Sequence, residues 1–312
     1  MHYEIILNPT AGNGKAQKTW NILQPVIEGQ LDYSLHQTDY ANHEAFFAKR
    51  IAKAYPHNSD TVVIVIGGDG TLHNVLNGLV KAGSTLPLSY IPAGTGNDFA
   101  RGYGISLNPE KALQQIISTT KARTITIGHY TESLKNEEGY FLNNIGIGFD
   151  AAIVSRTNSS KTKKSLNKLR LGNLSYLSKA FGVIYDQQPF QLTLQEQGHH
   201  HIFANAFIVV ATNHPYIGGG FQIDHSANVN DDAISMVAAE RKNWLLTLWE
   251  VIQFGRGKLA ESRFAHHFHA KALHYSTTSL EFGQIDGENM GNRFYDLNVD
   301  TSHYQFWQEP LN

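Results

Sequence analysis

A chain of 312 residues has room for two domains, and its 41% hydrophobic and 11% aromatic content supplies their cores. Only 17% of the residues are charged and the formal net charge is −2, which excludes a charged disordered chain and a globally basic nucleic-acid binder. The absence of cysteine excludes a disulfide scaffold, a thiolate metal site and a catalytic thiol.

The opening residues MHYEIILNP lack a basic, then apolar, leader pattern. The longest apolar runs, Val62–Ile66 and Ala206–Ala211, are far shorter than the ~20 residues a spanning helix needs. A cytoplasmic protein is expected, touching at most the inner face of a membrane.

In chain order, strand-like runs and helical spacings alternate up to about residue 127. Tyr3–Leu7 reads as a strand, followed by helical spacing at Ala16, Trp20 and Leu23. Tyr33–Thr38 alternates like a strand, and Asn42 is placed to cap a helix carrying Ala45, Phe46 and Ile51. Val62–Ile66 has the composition of a strand buried on both faces. Leu72, Val75, Leu76, Leu79 and Val80 form one helix face, with Gly83 as its stop. Leu88–Ile91 and Thr124–Ile127 are further strands, and Asn108-Pro109-Glu110 opens a helix between them. Repeated βα units predict a parallel sheet covered by helices.

Beyond residue 127 strands dominate: Phe141–Ile147, Phe190–Gln195, Ala206–Thr212, Ala233–Ala238, Ala272–Ser276 and Phe294–Val299. One helix interrupts them, Trp244–Phe254, capped by Asn243 and stopped by Gly255, with Trp244, Leu248, Val251 and Ile252 as a core face. This half is expected to be a mainly antiparallel sandwich or barrel.

Three glycine-rich loops follow predicted strands of the first half: Asn8 to Lys15, Gly67 to Thr71, and Pro92 to Phe99. Open α/β sheets bind ligands at such strand ends. Glycines admit phosphate oxygens to backbone N–H groups, Lys15 adds a mobile charge, and Asp69 and Asp98 are suited to magnesium. Two familiar motifs are absent. Lys15 is followed by Ala16, so no Walker A is present, and Gln17 and Phe99 stand where the dinucleotide fingerprint needs a third glycine.

Asn8-Pro9 with Gly12 and Gly14-Lys15, then Gly67-Gly68-Asp69-Gly70-Thr71, then Gly94-Thr95-Gly96-Asn97-Asp98-Phe99-Ala100-Arg101 resemble the diacylglycerol kinase catalytic-domain family. That family includes the bacterial soluble lipid kinases and the sphingosine and ceramide kinases. Asn143 with Gly146-Ile147-Gly148-Phe149-Asp150, Asp231-Asp232 and Ile285-Asp286-Gly287-Glu288 extend the resemblance to about residue 290.

The resemblance implies an ATP-binding α/β domain over 1–127, joined by 291–312, and a β-rich lipid-substrate domain over 128–290. It implies an ATP- and Mg2+-dependent lipid kinase whose first-choice acceptor is diacylglycerol. Asn8, Thr10, Gly12, Gly14, Lys15, Thr38, Gly67, Gly68, Asp69, Gly70, Thr71, Thr95 and Asn97 would hold the nucleotide. Asp232, with backbone groups of Val229 and Ile234, matches a structural magnesium loop. Glu288 matches the proton acceptor of the bacterial enzymes, while the sphingosine kinases favour the aspartate matching Asp69; Asp69 as metal ligand is the third option. Two residues depart from the family pattern: Asn74 stands for a usual Glu, and Ala233 for a usual Gly.

The alternatives are an NAD kinase or another GGDGT phosphotransferase, and a nucleotide-binding regulator that has lost catalysis. Six basic residues between Arg156 and Arg170 fit peripheral contact with a membrane that holds the lipid substrate, no nucleic acid is expected as a partner, and a homodimer is open. The clusters His199-His200-His201 and His266-His267-x-His269 read as a hairpin turn and a strand without partner carboxylates, and the tryptophans as core.

Overall fold

The computed structural model describes residues 1–55, 60–148, 151 and 188–311. The basic stretch Arg156–Arg170 and the pair Phe149-Asp150 lie outside the described residues. The chain forms two compact units, Met1–Ile125 with His303–Asn312, and Thr126–Ser302.

In the first unit, β1 (His2–Leu7), β2 (Asp32–Gln37), β3 (Thr61–Gly67) and β4 (Leu88–Pro92) form a parallel sheet in the order β2-β1-β3-β4. Their connections are α1 (Ala11–Gln30), α2 (His43–Ala54) and α3 (Asp69–Lys81). The sequence then continues through α4 (Asp98–Tyr103) and α5 (Pro109–Ile117). β3 is buried along its whole length, as its run of β-branched residues requires. Leu72, Val75, Leu76 and Leu79 form the buried face of α3, and Gly83, left-handed at φ 70°, follows its end.

Asn108 caps α5 as expected, accepting from Lys111 N–H at 2.9 Å. Asn42 precedes α2 but is left-handed and makes no cap bond; its side chain accepts from Asn74 Nδ2 at 3.2 Å instead. The carboxyl-terminal residues belong to this sheet: Phe306 pairs with Leu88 in parallel, and buried Gln308 accepts from Tyr90 N–H at 3.0 Å.

In the second unit, β5 (Arg123–Glu132), which enters from the first, pairs with β6 (Glu137–Phe141). β7 (Asn144–Gly148), β8 (Phe190–Glu196) and β12 (Ile234–Glu240) are antiparallel to the long β9 (His199–Thr212). A small hairpin, β10 (Tyr216–Ile217) with β11 (Phe221–Gln222), stands apart. The set is completed by α6 (Trp244–Gly255), β13 (Ala265–Ala270), β14 (Ala272–Thr277), β15 (Glu281–Ile285), β16 (Glu288–Arg293) and β17 (Asp296–Phe306), whose last residues run into the first unit. Val209 and Ala211 of β9 enter one apolar cluster with Ile145, Leu192 and Tyr275. Ile208 and Val210 enter another with Val237, Val251 and Phe254. Both faces of β9 are therefore buried, which is why its second half is continuously apolar. The fold is the expected parallel α/β unit followed by an antiparallel sandwich.

Four local expectations are corrected. Phe141–Ile147 is not one strand: the N–H groups of Leu142, Asn143 and Asn144 donate to the Asp286 carboxylate, which breaks the run between β6 and β7. α6 does not stop before Gly255; the left-handed glycine is Gly257, at φ 73°. The tryptophans are not all core, since Trp20 is buried but Trp244 is 68% exposed. The second histidine cluster has carboxylate partners: His267 Nε2 lies 2.7 Å from Asp224, and His266 lies 3.4 Å from Glu240.

Candidate active site

Strand register brings the three glycine loops together. Leu7 of β1 is paired with Ile66 of β3, and Gly67 with Pro92 of β4, so the loops leave the sheet at one level. β1 connects to β2 on one side while β3 lies on its other side, which makes the β1–β3 gap a topological switch point, the usual ligand position in such sheets.

In the first loop, Asn8 Oδ1 accepts from both the N–H (3.2 Å) and the hydroxyl (2.9 Å) of Thr10, and Asn8 Nδ2 donates to Thr71 Oγ1 at 3.1 Å. Asn8 thus ties the first loop to the second. Gly12, Asn13 and Gly14 are all left-handed, at φ 58°, 57° and 83°. A Cβ on Gly12 would lie 2.2 Å from the carbonyl oxygen of Ala93, so the first loop also touches the third through glycine. Gly14 faces open space, and Lys15 beyond it is exposed.

The second and third loops meet backbone to backbone, since a Cβ on Gly94 would stand 2.6 Å from Gly68 Cα. Asn97, left-handed and buried, braces the turn by accepting from Gly94 N–H at 2.8 Å and donating to the Gly94 carbonyl at 3.2 Å. Asp69 opens α3 and accepts from Asn97 N–H at 2.7 Å and Phe99 N–H at 3.3 Å. Burial, and then the neighbouring Asp98 carboxylate, push the Asp69 pKa above the usual carboxylate range. Thr71 is buried, Thr95 is exposed, and Thr38 lies buried just after β2 with its N–H donating to Leu7.

The departure at Asn74 has a local partner. Its Nδ2 donates to buried Glu44 at 3.3 Å. A glutamate at that position would set a second carboxylate against Glu44.

In the second unit, Asp286 is left-handed at φ 48° and accepts from Leu142, Asn143 and Asn144 N–H at 2.9, 2.8 and 3.1 Å. Gln284 adds bonds to the Asn144 side chain and from Gly287 N–H. This buried lattice carries Glu288, which is exposed at the start of β16. His214, fully buried, accepts from Tyr216 N–H at Nδ1, so its proton sits on Nε2 and is donated to Asn143 Oδ1 at 2.7 Å. Burial pushes its pKa down to about 4, so it is a neutral part of the same lattice. Asp286 and His214 were missed as positioning residues, because their partners are remote in sequence.

At the loop resembling a magnesium site, Asp232 is salt-bridged to Lys271 and accepts from Thr301 Oγ1 at 2.9 Å. The Val229 carbonyl accepts from Thr126 N–H at 2.7 Å, and Ile234 opens β12 fully buried. In this arrangement Lys271 and Thr301 occupy the Asp232 carboxylate. Among the described residues no three His, Cys, Asp or Glu side chains converge on a metal position.

A parallel α/β unit whose three glycine loops meet at one sheet end is followed by an antiparallel sandwich, and comparison with known proteins places this architecture in a family. The diacylglycerol kinase catalytic domain profile matches residues 2–130, and that of the YegS C-terminal NAD kinase beta sandwich-like domain matches residues 143–300. A Bacillus subtilis (strain 168) protein named "Putative lipid kinase YtlR" is 30% identical over 295 residues, covering 93% of this chain and 94% of that protein. A "Diacylglycerol kinase" of the same organism is 28% identical over 243 residues, covering 77% and 74%. A solved structure described as a putative diacylglycerol kinase from Bacillus anthracis str. Sterne superposes with a TM-score of 0.75 at 20% identity, covering 99% of this chain and 97% of that one, which shows the shared fold. The chain belongs to the diacylglycerol kinase catalytic-domain family and is a lipid kinase.

Proposed function

We propose that the chain transfers the γ-phosphoryl group of ATP to the free hydroxyl of diacylglycerol, giving phosphatidic acid and ADP. The observation that carries this reading is the meeting of three glycine loops at one sheet end, each held to the next by Asn8, Gly12, Gly68–Gly94 and Asp69.

In this reading the left-handed run Gly12 to Gly14 leaves backbone room for phosphate oxygens, and Lys15 supplies a positive charge beside them. Asn8, Thr10, Thr38, Gly67, Gly68, Gly70, Thr71, Thr95 and Asn97 shape the rest of the nucleotide pocket. Magnesium accompanying the nucleotide would neutralise phosphate charge, a task needing only one or two protein carboxylates, and Asp69 and Asp98 are the ones at these loops. The lipid hydroxyl oxygen bonds to the γ-phosphorus, the bond from that phosphorus to the β–γ bridging oxygen breaks, and Glu288 accepts the hydroxyl proton. Glu288 is favoured over Asp69 as base because it is exposed on a braced turn, whereas both Asp69 oxygens already accept backbone N–H groups.

The test uses γ-labelled ATP, magnesium and mixed micelles of diacylglycerol, phosphatidylglycerol or a sphingoid base, with NAD as a soluble acceptor. Label in phosphatidic acid supports the reading. Label only in NAD, or in another lipid alone, overturns it.

A further inference from the structure

Helix α6 is built inside out. Its buried side carries Thr247 and Glu250 beside Val251 and Phe254. Its open side carries Trp244, Leu245, Trp249 and Ile252, which are 68%, 60%, 46% and 41% exposed. At 3.6 residues per turn these four fall within an arc of about 140°, and half-buried Leu248 lies inside the same arc. Amphipathic helices of water-facing surfaces show the opposite arrangement. A contiguous apolar patch containing two tryptophans marks a surface meant to be covered.

The rim of this patch is basic. Arg256 and Lys258 follow the helix and Arg263 lies a few residues on, all exposed, while Lys242 before the helix pairs with Glu240 at 3.5 Å. Glu261 is the exposed carboxylate among residues 241–264. In a chain of net charge −2 this is a local excess of positive charge. Beside the helix a hollow of about 580 Å³ combines apolar walls from Leu246, Trp249 and Phe264 with the cations Lys258 and Arg263 and the single carboxylate Glu261.

Charge complementarity selects the occupant. A second copy seated on the same face would set the Arg256, Lys258 and Arg263 group against itself. An anionic bilayer offers acyl chains for the apolar arc and phosphates for the rim, and tryptophan is favoured at that boundary. A 12-residue helix is about 18 Å long, too short for a hydrocarbon layer of about 30 Å, so it lies in the surface and does not span it.

We propose that α6 seats the second unit on an anionic phospholipid surface, with Trp244, Leu245, Trp249 and Ile252 entering the acyl boundary and the basic rim holding lipid phosphates. The proposal gives the lipid-kinase reading its membrane contact and rests on that reading only for its purpose. Its test is read without phosphoryl transfer.

The full chain is floated with vesicles of phosphatidylcholine alone and with an equal part of phosphatidylglycerol. Wild type is expected to float with the anionic vesicles, and Trp244→Ser/Trp249→Ser to partition about tenfold less. Lys258→Gln/Arg263→Gln is expected to weaken binding and flatten its salt dependence. Lipids brominated on the acyl chain should quench wild-type tryptophan emission, and the quenching should vanish in the double tryptophan variant. Unchanged flotation of that variant, or no quenching of wild type, overturns the proposal. So does a lipid-free dimer that the tryptophan changes dissociate without any vesicle binding, since the face would then be a protein interface. If the double variant loses its fold, quenching of wild type by brominated lipid still decides. A short-chain diacylglycerol offered as dispersed monomers keeps the two readings apart. No transfer to it by wild type that binds vesicles counts against the kinase reading alone.

Discussion

The carboxylate of Asp286 accepts from the backbone N–H of Asn143 at 2.8 Å, joining the turn before β16 to the break between β6 and β7. Leu142 and Asn144 donate to the same carboxylate, so one buried side chain satisfies three consecutive N–H groups. Asp286→Ala leaves them without an acceptor and is expected to cost about 3–5 kcal/mol, read by denaturant unfolding. Asp286→Asn suits the left-handed backbone but offers one acceptor oxygen, and should cost less. Both should lower kcat more than nucleotide affinity, because Glu288 stands two residues further on. Equal losses in kcat and ATP affinity would contradict this.

Glu288 and Asp69 separate by what each variant loses. Glu288→Gln is expected to lower kcat by about 10²–10⁴ with ATP binding unchanged. Asp69→Asn places an N–H₂ group against one of two backbone donors, so it should weaken ATP binding as well. Protonation of Asp69 has a similar effect. Because its pKa is raised, ATP affinity should begin to fall, as pH is lowered, at a higher pH than an ordinary carboxylate would give. Calorimetric titration of ATP across pH checks both statements.

Gly12 and Gly14 are both left-handed, yet their alanine variants should differ. At Gly12 the added Cβ meets the Ala93 carbonyl as well as an unfavourable φ, and a loss of about 2–4 kcal/mol is expected. At Gly14 the space is open and only the backbone penalty of about 1–2 kcal/mol applies. Thermal unfolding of the two variants should show that order.

Asn74→Glu restores the family's usual residue but sets it beside buried Glu44. It should destabilise the chain by about 1–2 kcal/mol, read by denaturant unfolding at neutral pH. Glu44→Gln in the same chain should recover most of the loss. A neutral effect of Asn74→Glu alone would show that the pair is not in contact.

Glu250 is 1% exposed, and among the described residues neither of its side-chain oxygens has a hydrogen-bond partner. Burial raises its pKa to about 7, with Lys242 lowering it and Glu240 raising it slightly. A carboxyl raised on folding favours the folded state at low pH, and that advantage is lost as pH rises through the folded value. Wild type should therefore lose up to about 3 kcal/mol between pH 5 and pH 8 at this residue. Glu250→Gln should remove that part of the decline and be the more stable chain at pH 8.

The periodic elements and the three glycine loops were legible because their signals are local. A β-branched run such as Val62–Ile66, the apolar spacing from Leu72 to Leu79, or glycine after a strand each reports a conformation set by nearby residues. The family motifs are of the same kind, being short and in chain order. Side-chain partners are different. Asp286 claims the N–H groups of residues 142–144, Lys271 closes Asp232, Asn74 bonds Glu44, and His267 meets Asp224. None of these could be read from spacing, because long-range hydrogen bonds depend on which strands become neighbours. The apolar spacing of Trp244–Phe254 was visible too, but not its direction. Which face of a helix is buried depends on what packs against it, and here the packed face carries Glu250 while the tryptophans face outward.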